Sequence, residues 1–261
     1  MPFRLAAIDL DGTLLRSDGS LSDRTRAALA ATPLDVVIVS ARGPRGVGEV
    51  AEAAGLVGTA IASNGAAVVD LATRRVIRER AIESEVAAAI VADIRERLPG
   101  VLFGIERDAF AHEHGFAAWN WIPPPDTRVG DALELLDEAP RKLVVLHAEQ
   151  ALDAVADAVR EVVGERAAVY VSGEWVVEIS AAGVNKATAL AEVSEERGIG
   201  AAEVIAFGDH QNDVPMLAWA GRGVAVENAH PDAIAVADEI APSCDDDGVA
   251  QVLERVLATG A

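Results

Sequence analysis

FRLAAIDLDGT, residues 3–13, decides how the rest of the chain is read. Its apolar run does not alternate with polar residues. Residues 3–8, FRLAAI, read as a strand. The run ends in Asp9-Leu10-Asp11-Gly12-Thr13, two carboxylates at the carboxyl end of a strand, where open α/β sheets bind ligands. If the chain stays extended there, Asp9 and Asp11 face the same way and repel each other unless a cation lies between them. Mg²⁺ suits such oxygen-rich sites. Asp-Gly is also a common turn pair, so this stretch gains meaning only from its context.

Outward from this stretch, DVVIV (35–39) and TAIA (59–62) read as further strands. Helices are expected near 23–31 and 45–54. Ser22 is placed to cap the first, and Gly55 to stop the second. This β-α-β-α-β order implies a parallel sheet with right-handed crossovers. Residues 66–70 and 75–79 read as a hairpin. A different rhythm follows: a helix at 83–97, strands at 101–106 and 109–114, a Trp- and Pro-rich loop at 117–126, a strand at 141–147, a helix at 149–163, and strands at 167–172 and 175–179. That mixture suggests an antiparallel α+β unit. The β/α rhythm returns with a helix at 186–197, a strand at 203–207, a strand at 223–226, and helices at 230–237 and 248–258. The expectation is an α/β fold: a Rossmann-like parallel-sheet core of residues 1–81 and 183–261, with an α+β cap, 82–182, inserted into it.

The 261 residues carry a formal net charge of −20. A surface this acidic repels nucleic acid and anionic lipid, so neither is expected as a partner. Any phosphate site must overcome that field locally. Cys244 is the only cysteine, so an internal disulfide is impossible and no oxidising compartment is demanded. The N-terminus does not read as a signal peptide, and no stretch approaches the roughly 18 apolar residues of a membrane span. The expected location is cytoplasmic.

Three more segments bear chemistry. Ser40-Ala41-Arg42-Gly43 ends the second strand. Its hydroxyl and backbone N–H groups could hold a phosphate oxygen or cap the next helix. Arg42 and Arg45 read as surface or structural residues. Asn185-Lys186 opens a helix: Asn185 fits an N-cap, whereas Lys186 sits unfavourably beside the positive end of the helix dipole, a conflict that a bound anion would remove. Gly208-Asp209-His210-Gln211-Asn212-Asp213 places two carboxylates and an amide after another apolar strand. In a parallel sheet this turn can lie beside Asp9.

DLDGT, VSARG at 39–43, Lys186 and GDHQND, in this order and spacing, resemble the haloacid dehalogenase-like phosphatases. The similarity is greatest to their Cof-type group with an inserted C2B cap. ASNGA at 62–66, GVNKATAL at 183–190, NDVPML at 212–217 and NAHPDAIAVADEIAP agree with it. The resemblance implies that Asp9 attacks phosphorus and Asp11 acts as general acid and base. It assigns Ser40, Lys186 and Asn212 to phosphate. It assigns Mg²⁺ to Asp9, Asp11 (through its backbone carbonyl), Asp209 and Asp213. Asp11 also favours phosphate release or exchange over a stable phosphoenzyme.

Asn64, Arg42 and Glu178 are weaker candidates for substrate contact. Trp119 and Trp121 read as cap packing. His112 and His114 would share a strand face but lack a third zinc ligand. The function expected is Mg²⁺-dependent hydrolysis of a small phosphomonoester, a sugar phosphate first and a cofactor-type phosphate such as pyridoxal phosphate second. The alternatives are a phosphomutase of the same superfamily and a non-catalytic phosphometabolite-binding regulator.

Overall fold

The computed structural model describes residues 3–116, 126–172 and 176–259. The chain begins with β1 (Leu5–Ile8), α1 (Asp23–Ala31), β2 (Asp35–Val39), α2 (Pro44–Ala54), β3 (Thr59–Ala62), β4 (Ala67–Asp70) and β5 (Arg75–Glu79). Next come α3 (Ser84–Arg97), β6 (Leu102–Glu106), β7 (Phe110–His112), β8 (Arg128–Val129), α4 (Ala132–Leu135), β9 (Lys142–Leu146), α5 (Leu152–Val163), β10 (Ala167–Ser172) and β11 (Val176–Ala181). The last part holds α6 (Lys186–Glu196), β12 (Val204–Gly208), α7 (Val214–Trp219), β13 (Arg222–Val226), α8 (Pro231–Val236), β14 (Glu239–Ala241) and α9 (Gly248–Thr259). Two compact units result: one up to Arg78 together with Asn185 onward, the other Glu79–Val184.

The first unit is built on a sheet ordered β14-β13-β12-β1-β2-β3-β4-β5. The strands from β14 to β3 run parallel, and β4 runs antiparallel to β3. β1 is central and wholly buried, which explains its unalternating sequence. Its even-numbered residues, Ala6 and Ile8, join a core with Leu29, Phe207 and Leu253. Its odd-numbered residues, Leu5 and Ala7, join a second core with Leu190, Val193, Met216 and Leu217. Helices therefore cover both faces, and each fully buried Leu or Ile contributes about 1.5–3 kcal/mol. The chain leaves β1 for β2 on one side and returns at β12 on the other, with Ile8 in register with both Ile38 and Phe207. This reversal of strand order is where such sheets open a crevice for ligands.

Local signals in the sequence act as expected. Ser22 caps α1 by accepting from the Thr25 backbone N–H at 3.0 Å. Gly55 ends α2 in the left-handed region, φ 69°. The Ser22 cap is worth about 1 kcal/mol. Three expectations need correction. β14 pairs parallel with β13 where no strand is expected; AVADEIA is Ala-rich and too short to show a strand period. α5 starts at Leu152, not 149, because the Glu149 and Gln150 amides donate to His147 Nδ1 instead, both at 3.2 Å. β7 stops at His112, so His114 leaves the strand, and the His112 ring stacks on Phe116.

The second unit has a sheet ordered β10-β11-β9-β6-β7-β8, antiparallel except for β7 with β8. One face packs on α3 and α5 through Ile90, Ile94, Leu143, Val145, Val159 and Ile179. On the other face, Lys142 Nζ lies 2.5 Å from Glu178 and 3.3 Å from Glu106. The Ser172 hydroxyl donates to Glu178 at 2.6 Å. Lys142, Glu106 and Glu178 are all buried. Trp119 and Trp121 lie outside the described residues. No helix among the described residues is long and apolar enough to cross a membrane.

Candidate active site

Strand parity aims Asp9 toward α6, on the side of Leu5 and Ala7. Lys186 is the first residue of α6. Asn185 caps this helix: its side chain accepts from the Thr188 N–H at 2.8 Å, and the Thr188 hydroxyl accepts from the Asn185 N–H at 3.0 Å. The capped end fixes where the lysine emerges. Lys186 is 1% exposed, and its Nζ donates to Asp9 Oδ1 and Asp213 Oδ1, each at 2.6 Å. Two protein carboxylates thus resolve the conflict between this cation and the helix dipole.

Asp213 ties the second acidic turn to the same point. Its Oδ2 accepts from the backbone N–H groups of Asp209 and His210, at 3.1 and 3.0 Å. Asp209 accepts from the Thr13 hydroxyl at 3.0 Å. Its carboxylate lies over Gly12, where a Cβ would come within 2.4 Å of Oδ2. Asp9, Asp209 and Asp213 each offer an oxygen within 4.8 Å of the other two, the one such acidic or histidine group among the described residues.

Burial raises the Asp9 carboxyl well above the usual range; Lys186 opposes the rise, and Asp213 and Asp209 add to it. Burial and the charge of Asp213 push Asp209 up to about 7. Burial works to lower the Lys186 ammonium, but Asp213 and Asp9 outweigh it and hold that group above its ordinary value. Three carboxylates around one ammonium leave an excess of buried negative charge. A hard divalent cation with carboxylate preference fits this donor set.

The two carboxylates of DLDGT do not face the same way. The chain turns after Leu10, with Thr13 N–H bonded to the Leu10 carbonyl at 3.3 Å and Leu14 N–H to the Asp9 carbonyl at 3.2 Å. Gly12 takes φ 79°, a left-handed conformation that glycine adopts readily. The Asp11 carboxylate accordingly meets Arg42, outside the acidic cluster. Arg42 is therefore a partner of Asp11, a role the sequence did not signal.

Ser40 and Asn64 also come to the first unit's strand ends. The Ser40 hydroxyl accepts from the Arg42 N–H at 3.1 Å, and its carbonyl accepts from the Asn64 N–H at 3.0 Å. Asn64 Oδ1 accepts from Asn212 Nδ2 at 3.0 Å. Glu178, in contrast, belongs to the second unit and is engaged by Lys142 and Ser172. Thr13 and Asn228 support the site without a signal of their own in the sequence. Asn228, inside NAHPDA, donates to the Gly12 carbonyl at 2.7 Å and accepts from the Cys244 N–H at 2.9 Å.

The profile of haloacid dehalogenase-like hydrolases matches residues 6–253. A Bacillus subtilis 5-amino-6-(5-phospho-D-ribitylamino)uracil phosphatase, YitU, is 30% identical over 97% of this chain and 97% of its own length. A phosphoglycolate phosphatase from Natronomonas pharaonis is 29% identical over 95% of this chain and 96% of its own. Among solved structures, a haloacid dehalogenase-like hydrolase from Bacteroides thetaiotaomicron superposes with a TM-score of 0.80 at 25% identity, covering 97% and 99% of the two chains. These matches run the length of the chain and take in each of the strand ends described above, so the chain belongs to the haloacid dehalogenase-like hydrolases, in their Cof-type group, and is a phosphatase of that family.

Proposed function

We propose that the protein hydrolyses the phosphomonoester of a small metabolite, with Mg²⁺, through phosphorylated Asp9. The observation that carries this reading is the convergence of Asp9, Asp209 and Asp213 around Lys186 at the β1/β12 crevice. Asp9 forms a bond to phosphorus as the bond to the leaving oxygen breaks, and Asp11 gives that oxygen a proton. Asp11 then takes a proton from the water that releases phosphate and regenerates Asp9. For this the Asp11 carboxylate keeps one oxygen on Arg42 and turns the other to the substrate oxygen. Lys186 keeps Asp9 aligned and offsets negative charge on the phosphoryl group. The Ser40 hydroxyl and the Asn212 amide hold phosphoryl oxygens. Asp9, Asp209, Asp213 and the Asp11 carbonyl would hold Mg²⁺, which supplies charge neutralisation between an anionic nucleophile and an anionic substrate.

The domain roles follow the same reading. The first unit is the catalytic core, and the second is a cap that selects the substrate. The relatives act on phosphoesters as different as a ribitylaminouracil phosphate and phosphoglycolate, so a sugar or polyol phosphate is the first class to screen.

Phosphate release from a panel of phosphoesters, with and without EDTA, tests the proposal. Asp9→Asn should abolish turnover in a folded protein, and Lys186→Ala should lower kcat/KM by about 100-fold or more. Appreciable activity in Asp9→Asn, or indifference to chelation, would remove the mechanism.

A further inference from the structure

The turn Ser63-Asn64-Gly65 is strained and almost wholly enclosed. Ser63 and Asn64 take φ 52° and 56°, consecutive left-handed residues that are not glycine, and they are 0% and 1% exposed. Such outliers persist only where the surroundings over-determine them, and they gather at functional sites. Here the surroundings are pieces of the candidate site. Ser63 N–H bonds to the Arg42 carbonyl at 2.8 Å, and Asn64 N–H to the Ser40 carbonyl at 3.0 Å. Gly65, at φ 103°, presses against the residue before the site lysine: a Cβ there would lie 2.3 Å from the Asn185 carbonyl oxygen. The Asn64 side chain reaches a fourth piece, accepting from Asn212 Nδ2.

We propose that Asn64 is a positioning residue for phosphate recognition: its left-handed backbone and its amide set Asn212 and the Ser40 loop as one unit. The inference rests on the phosphatase reading, in which Ser40 and Asn212 touch the phosphoryl group. The left-handed backbone aims the Asn64 side chain at Asn212, which would otherwise lose a fixed partner for its amide. Asn64 thereby acts through Asn212 without touching substrate.

Asn64→Gly tests this, because glycine accepts φ 56° without strain and only the side chain is lost. The variant should unfold cooperatively, like the parent. Its kcat/KM should fall by about 10- to 100-fold, the range expected when the unsupported Asn212 amide loses its one hydrogen bond to the charged phosphoryl group. The loss should lie mainly in KM, with a matching rise in the inhibition constant for inorganic phosphate. Adding Asn64→Gly to Asn212→Ala should cost less than about threefold more, since coupled residues are not additive. Kinetics equal to the parent's, or fully additive losses, would overturn the proposal.

Asn64→Asp guards against a glycine variant that does not fold, because it keeps both the volume and the accepting oxygen. In that background Asn212→Ala should retain its full effect, and its disappearance there would also overturn the proposal. If the parent protein releases no phosphate from any ester with Mg²⁺, the phosphatase reading itself has failed, and this inference falls with it. A parent that turns over and is matched by Asn64→Gly defeats this inference alone.

Discussion

Arg42 grips the Asp11 carboxylate with two parallel hydrogen bonds, from Nε at 2.8 Å and from Nη2 at 2.5 Å. A guanidinium fork matches a carboxylate in a way a lysine ammonium cannot. The pair is partly solvent-exposed, with 36% and 57% of the two side chains accessible. Its contribution to stability should therefore be small, about 0–1 kcal/mol. Arg42→Lys should leave the urea midpoint nearly unchanged while kcat falls about tenfold, because Asp11 loses its defined orientation. Steady-state kinetics beside urea denaturation check this. An unchanged kcat would make the pair ornamental to the reaction.

Asp209 should show the opposite signature. Burial and Asp213 disfavour its charge, so Asp209→Asn should stabilise the metal-free protein. The same change should remove most of the response to Mg²⁺. In the parent, Mg²⁺ at 100 times its Kd should add about 2.7 kcal/mol to unfolding stability. Denaturation with EDTA and with Mg²⁺, run on both proteins, separates the two effects. A variant that responds to Mg²⁺ as the parent does would take Asp209 out of the metal site.

Gly12→Ala combines two penalties. The left-handed φ of 79° disfavours alanine by about 1–2 kcal/mol, and the new Cβ would sit 2.4 Å from Asp209 Oδ2. Asp209 must then move. Mg²⁺ affinity, measured by calorimetry, should weaken about tenfold or more, as when the support of a metal ligand is lost. Unaltered affinity would show that Asp209 does not depend on its seat over Gly12.

Lys142→Met probes the second unit without touching the proposed chemistry. It would strand the buried Glu106 and Glu178 without their cation, at a cost of about 3–5 kcal/mol. Burial works to lower the Lys142 ammonium, but Glu106 and Glu178 outweigh it and hold that group above its ordinary value. The stabilisation is thus fully present below the unfolded lysine pKa of about 10.4 and is lost only as strong alkali passes the raised value. Urea denaturation at neutral pH gives the first number, and repeating it in alkali checks the sign. A change below about 1 kcal/mol would mean that the network contributes little.

What the sequence disclosed follows the range of the interactions involved. The unalternating LAAI of β1, the Ser22 cap and the left-handed stop at Gly55 are local, and each leaves its mark within a few residues. Parallel order could be inferred because β-α-β connections allow few alternatives. β14 has three residues at a sheet edge, too few to carry a period. The grip of Arg42 on Asp11 spans 31 positions, and that of Asn228 on Gly12 spans 216. Neither has a local signature, because tertiary folding alone brings the partners together. The separate partners of Asp9 and Asp11 depend on one turn at Gly12, which extended-chain geometry could not foresee.

The place of β1 between β2 and β12 also governs the order of events on the ribosome. The strand before Asp9 is made before the second unit, yet one of its two neighbours, β12 at Val204–Gly208, follows the whole of that unit, and Lys186 follows Asp9 by 177 positions. The unit Glu79–Val184 is continuous and can close while the remainder is still being made, since contiguous domains fold as units during synthesis. The nascent first half must therefore wait with an open sheet edge and an acidic turn that still lacks its cation. A released chain that ends before α6 should have a second unit that resists protease and a first that does not.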